Sequence, residues 1–95
     1  MTLLENTYRD LCNAGLVSCA EAFSFNYLGK NKNWYAFQTH MRRDFSVSAA
    51  VQCLRSIRTN MRLTGFDTQR QAALRAAERS LLAHLNETHL VADVC

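Results

Sequence analysis

Proline is absent from the chain, and glycine occurs three times, at Gly15, Gly29 and Gly65. Proline breaks helices most strongly, and glycine is the residue that most readily ends one in a left-handed turn. A chain that lacks the first and spaces the second widely has few places to change direction. It is expected to be all-α, a compact bundle of about five short helices with short connections. Its 95 residues make a single domain, near the lower end of those that fold without staples. The 48% hydrophobic and 20% charged content is that of a globular chain.

Local signals divide the chain between the glycines. Thr2 with Glu5 forms a capping box for a helix over 2–14, with Leu4, Tyr8, Leu11 and Cys12 on one face. Ser18 with Glu21 forms a second box, and Val17 and Ala22 fit a hydrophobic staple, so a second helix runs from there to Tyr27 or Leu28. Asn31 caps a third helix through Met41, and Arg42-Arg43-Asp44 is a polar break. Ser46 caps a fourth, whose apolar stripe is Val47, Ala50, Leu54, Ile57 and Met61. Asp67 or Thr68 caps a fifth helix to Leu85, with Leu74, Ala77, Leu81 and Leu85 on one side. The domain is expected to span 1–86, with 87–95 a frayed tail.

Several chemistries are not indicated. Cys12, Cys19, Cys53 and Cys95 form no C-x-x-C pair and sit among apolar neighbours, as small core residues do. The opening residues carry no leader pattern, so a reducing, cytoplasmic setting is expected. No apolar run approaches the roughly 18 residues of a membrane span. His40, His84 and His89 match no zinc spacing, so neither metal nor other cofactor is expected. Glu5, Glu21 and Asp67 are accounted for by helix capping, and no phosphate loop or nucleophile elbow occurs. The expectation is a protein that is not an enzyme.

Charge is unevenly placed. The net charge is +3, yet Lys30, Lys32, Arg42, Arg43, Arg55, Arg58 and Arg62 face only one acidic residue, Asp44, between positions 30 and 62. That segment carries +6 and the flanks −3, which favours a polyanionic partner. Arg55, Arg58 and Arg62 form a stripe about 100° round from the apolar stripe of the fourth helix, suited to phosphate or carboxylate pairing.

The segment "SFNYLGKNKNWYAFQTHMRR" (24–43) has the parts of a helix-turn-helix. Gly29 supplies a turn of positive φ, and Leu28 before it points inward. Trp34 or Tyr35, with Phe37, locks the second helix, and Lys32, Asn33, Ala36 and Gln38 lie on its outer side. Asn and Gln bond adenine bidentately, and Lys reaches guanine or phosphate. Over Ser18 to Arg58 the segment resembles the helix-turn-helix of the lambda-repressor-like DNA-binding families: "SCAEAFSFNYLG", "KN" and "KNWYAFQTHMRR", then "FSVSAAVQCLRSIR" as the following helix. Phe25 stands where that family usually has alanine or glycine, and Lys30 where it has an aliphatic residue. The segment is also similar to an FS..wLG....yY pattern of small uncharacterised bacterial helical proteins.

The resemblance implies a transcriptional regulator that binds duplex DNA, as a homodimer. Its recognition helix would be about 32–41, contacts coming from Lys30, Lys32, Asn33, Gln38, Arg42 and Arg43, and from Arg55, Arg58 and Arg62 as phosphate ligands. The alanines 72, 73, 76 and 77 allow close helix approach, either within the chain or in a dimer seam. The alternative is a helical interaction module or inhibitor, of phage or mobile-element type, that binds a protein or nucleic-acid complex. One feature separates the two. A convex polar face at Lys32, Asn33, Gln38, Arg42 and Arg43 favours DNA. An exposed apolar patch at Trp34, Tyr35 or Phe37 favours a protein partner.

Overall fold

The computed structural model describes residues 2–65 and 67–89. Among them are five helices and no strand: α1 (Leu3–Asn13), α2 (Ala20–Ala22, continued by a π-helical turn over Phe23–Tyr27), α3 (Trp34–His40), α4 (Val47–Thr64) and α5 (Thr68–His89). The three glycines all adopt positive φ, as the punctuation of the sequence requires.

α1 begins as expected. The Thr2 hydroxyl accepts from the Glu5 amide, and the Glu5 carboxylate accepts from the Thr2 amide. The Leu3 and Leu4 amides remain, and both donate to one carboxylate, that of Asp44, at 3.3 and 2.9 Å. All four amides that open the helix are therefore satisfied. Its last turn closes with Leu16 donating to the Leu11 carbonyl and Gly15 to that of Cys12, which is why a left-handed residue is needed at Gly15.

α2 starts later than the second capping box implies. Cys19 occupies the cap, in extended conformation and without a side-chain hydrogen bond, and Ser18 is exposed. Val17 must reach the core, which leaves Ser18 one residue too early to cap. The helix then widens. The Leu28 amide donates to the Phe23 carbonyl, five residues back, and the Lys30 amide to that of Ser24. The Ser56 hydroxyl of α4 lies 3.0 Å from the Tyr27 carbonyl. Gly29 has a second reason to be glycine, since a Cβ there would stand 2.9 Å from Gln52 of α4.

α4 and α5 form an antiparallel hairpin. Ser46 caps α4, its hydroxyl accepting from the Ala49 amide. The buried stripe of α4 is Ala49, Ala50, Cys53, Leu54 and Ile57, while Val47 points outward at 45% exposure, contrary to its expected place in the stripe. In α5 Leu74, Ala77, Leu81 and Leu85 are buried as expected, and Asp67 caps the helix by accepting from the Arg70 amide. The helix continues to His89 rather than fraying at Asn86, and 90–95 lie outside the described residues. The Gln71 side-chain amide donates to the Met61 carbonyl and to the Thr64 hydroxyl at the end of α4. α1 packs on α5, with Ala76 and Ala77 facing Leu3, Asn6 and Thr7 across a shallow depression. Ala76 and Ala77 serve that intramolecular approach, while Ala72 is exposed beside Arg75.

Phe23 is the hub of the core. Its ring lies 5.3 Å from Tyr8, 5.5 Å edge-on from Tyr35 and 6.1 Å from Tyr27, and the Tyr8 and Tyr35 rings meet tilted at 4.6 Å. Rings from α1, α2 and α3 thus meet at one point. The Tyr27 hydroxyl is buried there without a hydrogen-bond partner among the described residues.

Two outcomes follow for denaturant unfolding. Asp44→Ala leaves the Leu3 and Leu4 amides without their acceptor and is expected to cost about 2 kcal/mol. A loss below about 0.5 kcal/mol contradicts the capping role. Tyr27→Phe removes an unsatisfied buried hydroxyl and is expected to stabilise by about 1 kcal/mol. A loss of stability in that variant would show that the hydroxyl has a partner.

Candidate functional site

α3 is held by its two ends. At its start, the Asn31 side-chain oxygen accepts from the Asn33 amide at 2.9 Å, and the Asn31 carbonyl accepts from Trp34. This local turn competes with helix, so Lys32 and Asn33 lie in the turn and not in a recognition helix beginning at 32. Asn31 is correspondingly not the helix cap; Asn33 occupies that place without a side-chain bond. The Tyr35 amide, an orphan of the first turn, donates to the hydroxyl of Ser24, which is fully buried. The π-turn of α2 therefore anchors the start of α3.

At the other end, Arg43 donates from its amide to the Gln38 carbonyl and Arg42 to that of Thr39. This is the pairing of a Schellman close, with a left-handed residue between helix and exit. That residue is Arg42, at φ 56°, the position where glycine is usual. The exit delivers Asp44 to the head of α1.

These constraints set which face of α3 turns inward. Trp34 and Tyr35 are half-buried against the aromatic core, and Gln38 is buried, its amide nitrogen donating to the Asp44 carbonyl at 3.0 Å. Ala36, Phe37 and His40 of the helix and Met41 at its C-cap face solvent, with Phe37 55% and Met41 45% exposed. Two expectations are therefore reversed. Gln38 does not lie on the outer side, and Phe37 does not lock the helix. The apolar ring faces solvent and the amide faces the core. Phe25 is also turned out, on α2, at 69% exposure.

The remaining expected contacts fall into two groups. Lys32, Asn33, Arg42 and Arg43 are exposed at the two ends of α3. Lys30 is half-buried, its ammonium donating to the Ser48 hydroxyl at 3.0 Å and lying 6.0 Å from the Trp34 ring centre. On α4, Arg55 and Arg62 are exposed, whereas Arg58 is bound to Glu78 of α5 at 2.8 Å. The structure places Lys32 and Asn33 in the turn before α3 and Arg42 and Arg43 at its exit, flanking Phe37 and Met41, and places the α4 arginines on a separate hairpin.

Some features lay outside the sequence reading. Asp44 is a cap for another helix, and its only signal was being the one acid in a basic segment. Arg75 and Arg79 of α5 are exposed beside Glu78, and their four-residue spacing was visible. Burial pushes the Cys53 thiol up to about 12 and leaves it protonated at neutral pH, a packing group and not a nucleophile. Burial, then the nearby Glu5, pushes the Tyr35 hydroxyl up to about 12. Among the described residues no three His, Cys, Asp or Glu side chains converge on a point, and no helix is long and apolar enough to cross a membrane.

Arg42→Gly relieves the left-handed strain and is expected to stabilise the fold by about 0.5–1 kcal/mol in thermal or denaturant unfolding. A destabilised variant would show that the Arg42 side chain contributes more to the fold than its backbone costs.

No curated protein and no solved structure matches the chain. A family model described as "Family of unknown function (DUF6626)" matches residues 4–94, nearly the whole length, and the chain belongs to that family.

Proposed function

We propose that this chain is a helical binding module that docks an acidic, partly apolar segment of another protein on the outer face of α3. The observation that carries the reading is the inversion at neighbouring positions, Phe37 outward and Gln38 inward. A base-reading helix requires polar groups on its outer face. Here that face presents Ala36, Phe37, His40 and Met41. Phe37 and Met41, four residues apart, lie side by side and form an apolar ridge on a short helix.

Charge selects the partner. Lys32 stands before one end of the seven-residue helix and Arg42 and Arg43 beyond the other, the helix itself being about 10 Å long. Asp44, the acid nearest in sequence, has both carboxylate oxygens engaged by backbone amides of Leu3, Leu4 and Phe45. An aromatic–methionine anchor with a basic rim suits an acidic amphipathic segment, whose apolar side chains bury against the ridge while its carboxylates meet the rim. Catalysis has no part in this reading, because Glu5 and Asp44 cap helices and Glu78 is paired with Arg58.

The test is titration of the protein against immobilised acidic amphipathic peptides. The double variant Phe37→Ala/Met41→Ala is expected to weaken binding tenfold or more, each anchor contributing about 1–2 kcal/mol. Both side chains are exposed, so the fold is expected to survive. Unchanged binding in that variant, or equal binding when the peptide's Asp and Glu are replaced by Asn and Gln, overturns the reading.

A further inference from the structure

The α4–α5 hairpin carries a second charged surface, independent of α3. The Arg58–Glu78 ion pair joins the two helices, both side chains being partly exposed at 38% and 24%. Arg55 and Arg62 flank Arg58 by three and four residues on α4, the spacings that place side chains on one helix face. On α5, Arg75 and Arg79 line a shallow depression together with Glu78 and Ala72. Arg55, Arg62, Arg75 and Arg79 are all exposed. With Arg58 these are five arginines against one glutamate, a net +4, and that glutamate is already neutralised by Arg58.

We infer that this hairpin face binds the phosphate backbone of duplex DNA without reading its sequence. The two rows stand on helices packed against each other. Arg55 and Arg62 are about 10 Å apart along α4, and Arg75 and Arg79 about 6 Å apart along α5. Antiparallel packing fixes one row against the other, as Gln71 on the Met61 carbonyl and Glu78 on Arg58 require. Guanidinium groups pair bidentately with phosphate oxygens. Two fixed rows of cations suit the two fixed rows of phosphates of a duplex. Single strands are held by aromatic stacking platforms, and the depression beside Arg75 and Arg79 is lined by no aromatic among the described residues. Arg58 holds the rows in register through Glu78 and is a positioning residue.

The experiment is fluorescence anisotropy of a labelled, mixed-sequence duplex of about 20 base pairs across a potassium chloride series, using the full chain. Four phosphate contacts predict a slope of log K against log salt of about −3.6. Arg55→Gln, Arg62→Gln, Arg75→Gln and Arg79→Gln are each expected to reduce that slope by roughly 0.9, equally on unrelated sequences. The quadruple variant is expected to lose measurable binding, and the corresponding lysine variants to keep the slope. The Phe37→Ala/Met41→Ala variant is expected to bind the duplex unchanged, which separates this surface from the docking face on α3. Absence of duplex binding at low salt overturns the inference. So does a slope indifferent to the four substitutions, or tighter binding of a single-stranded RNA of equal length.

Discussion

The carboxylate of Asp44 fixes the arrangement of this small protein. Its two oxygens accept from the amides of Leu3, Leu4 and Phe45, and its carbonyl accepts from the Gln38 side chain. One residue thereby joins the head of α1, the inner face of α3 and the approach to α4. A negative charge at a helix N-terminus is favoured by both the orphan amides and the helix dipole. Delivering it there requires the sharp exit from α3, and that exit requires a left-handed residue at Arg42. The strain at Arg42 and the cap on α1 belong to one construction.

The orientation of α3 follows from the same source. Gln38 is drawn inward by the Asp44 carbonyl, and the Tyr35 amide by the buried Ser24 hydroxyl. With positions 34, 35 and 38 committed to the interior, helix geometry leaves 36, 37 and 40 outside, and Met41 is exposed at the C-cap where the helix ends. Phe37 and Met41 are exposed because the polar anchors take the inner face. The π-turn of α2 contributes by placing Ser24, and its free carbonyl at Tyr27 is met by Ser56 of α4.

Much of the fold was legible. The Thr2–Glu5 box, the Ser46 cap, the turns at Gly15 and Gly29, and the buried leucines of α5 all rest on interactions within a few residues of one another. Most of what escaped was long-range. Ser18 and Glu21 satisfy the capping pattern, yet Val17's burial moved the start of α2 past them. Asn31 reads as a cap, but its side chain closed a turn two residues on. The period of α3 was legible and its phase was not: seven residues of mixed aromatic and polar character fit a helix in two rotations. The contacts choosing between them come from Ser24 and Asp44, which no local pattern connects. The charge asymmetry is legible in the sequence, but the juxtaposition of the α4 and α5 arginines depends on the Arg58–Glu78 pair, twenty residues apart in sequence.

The outer face depends on the phase of α3, and solution NMR with a soluble paramagnetic probe tests that phase directly. The Phe37 ring and the Met41 methyl are predicted to be strongly broadened, while the Gln38 side-chain amide is spared and its protons exchange slowly. A broadened Gln38 amide beside a protected Phe37 ring would contradict the account, and would restore the polar outer face that a DNA-reading helix needs.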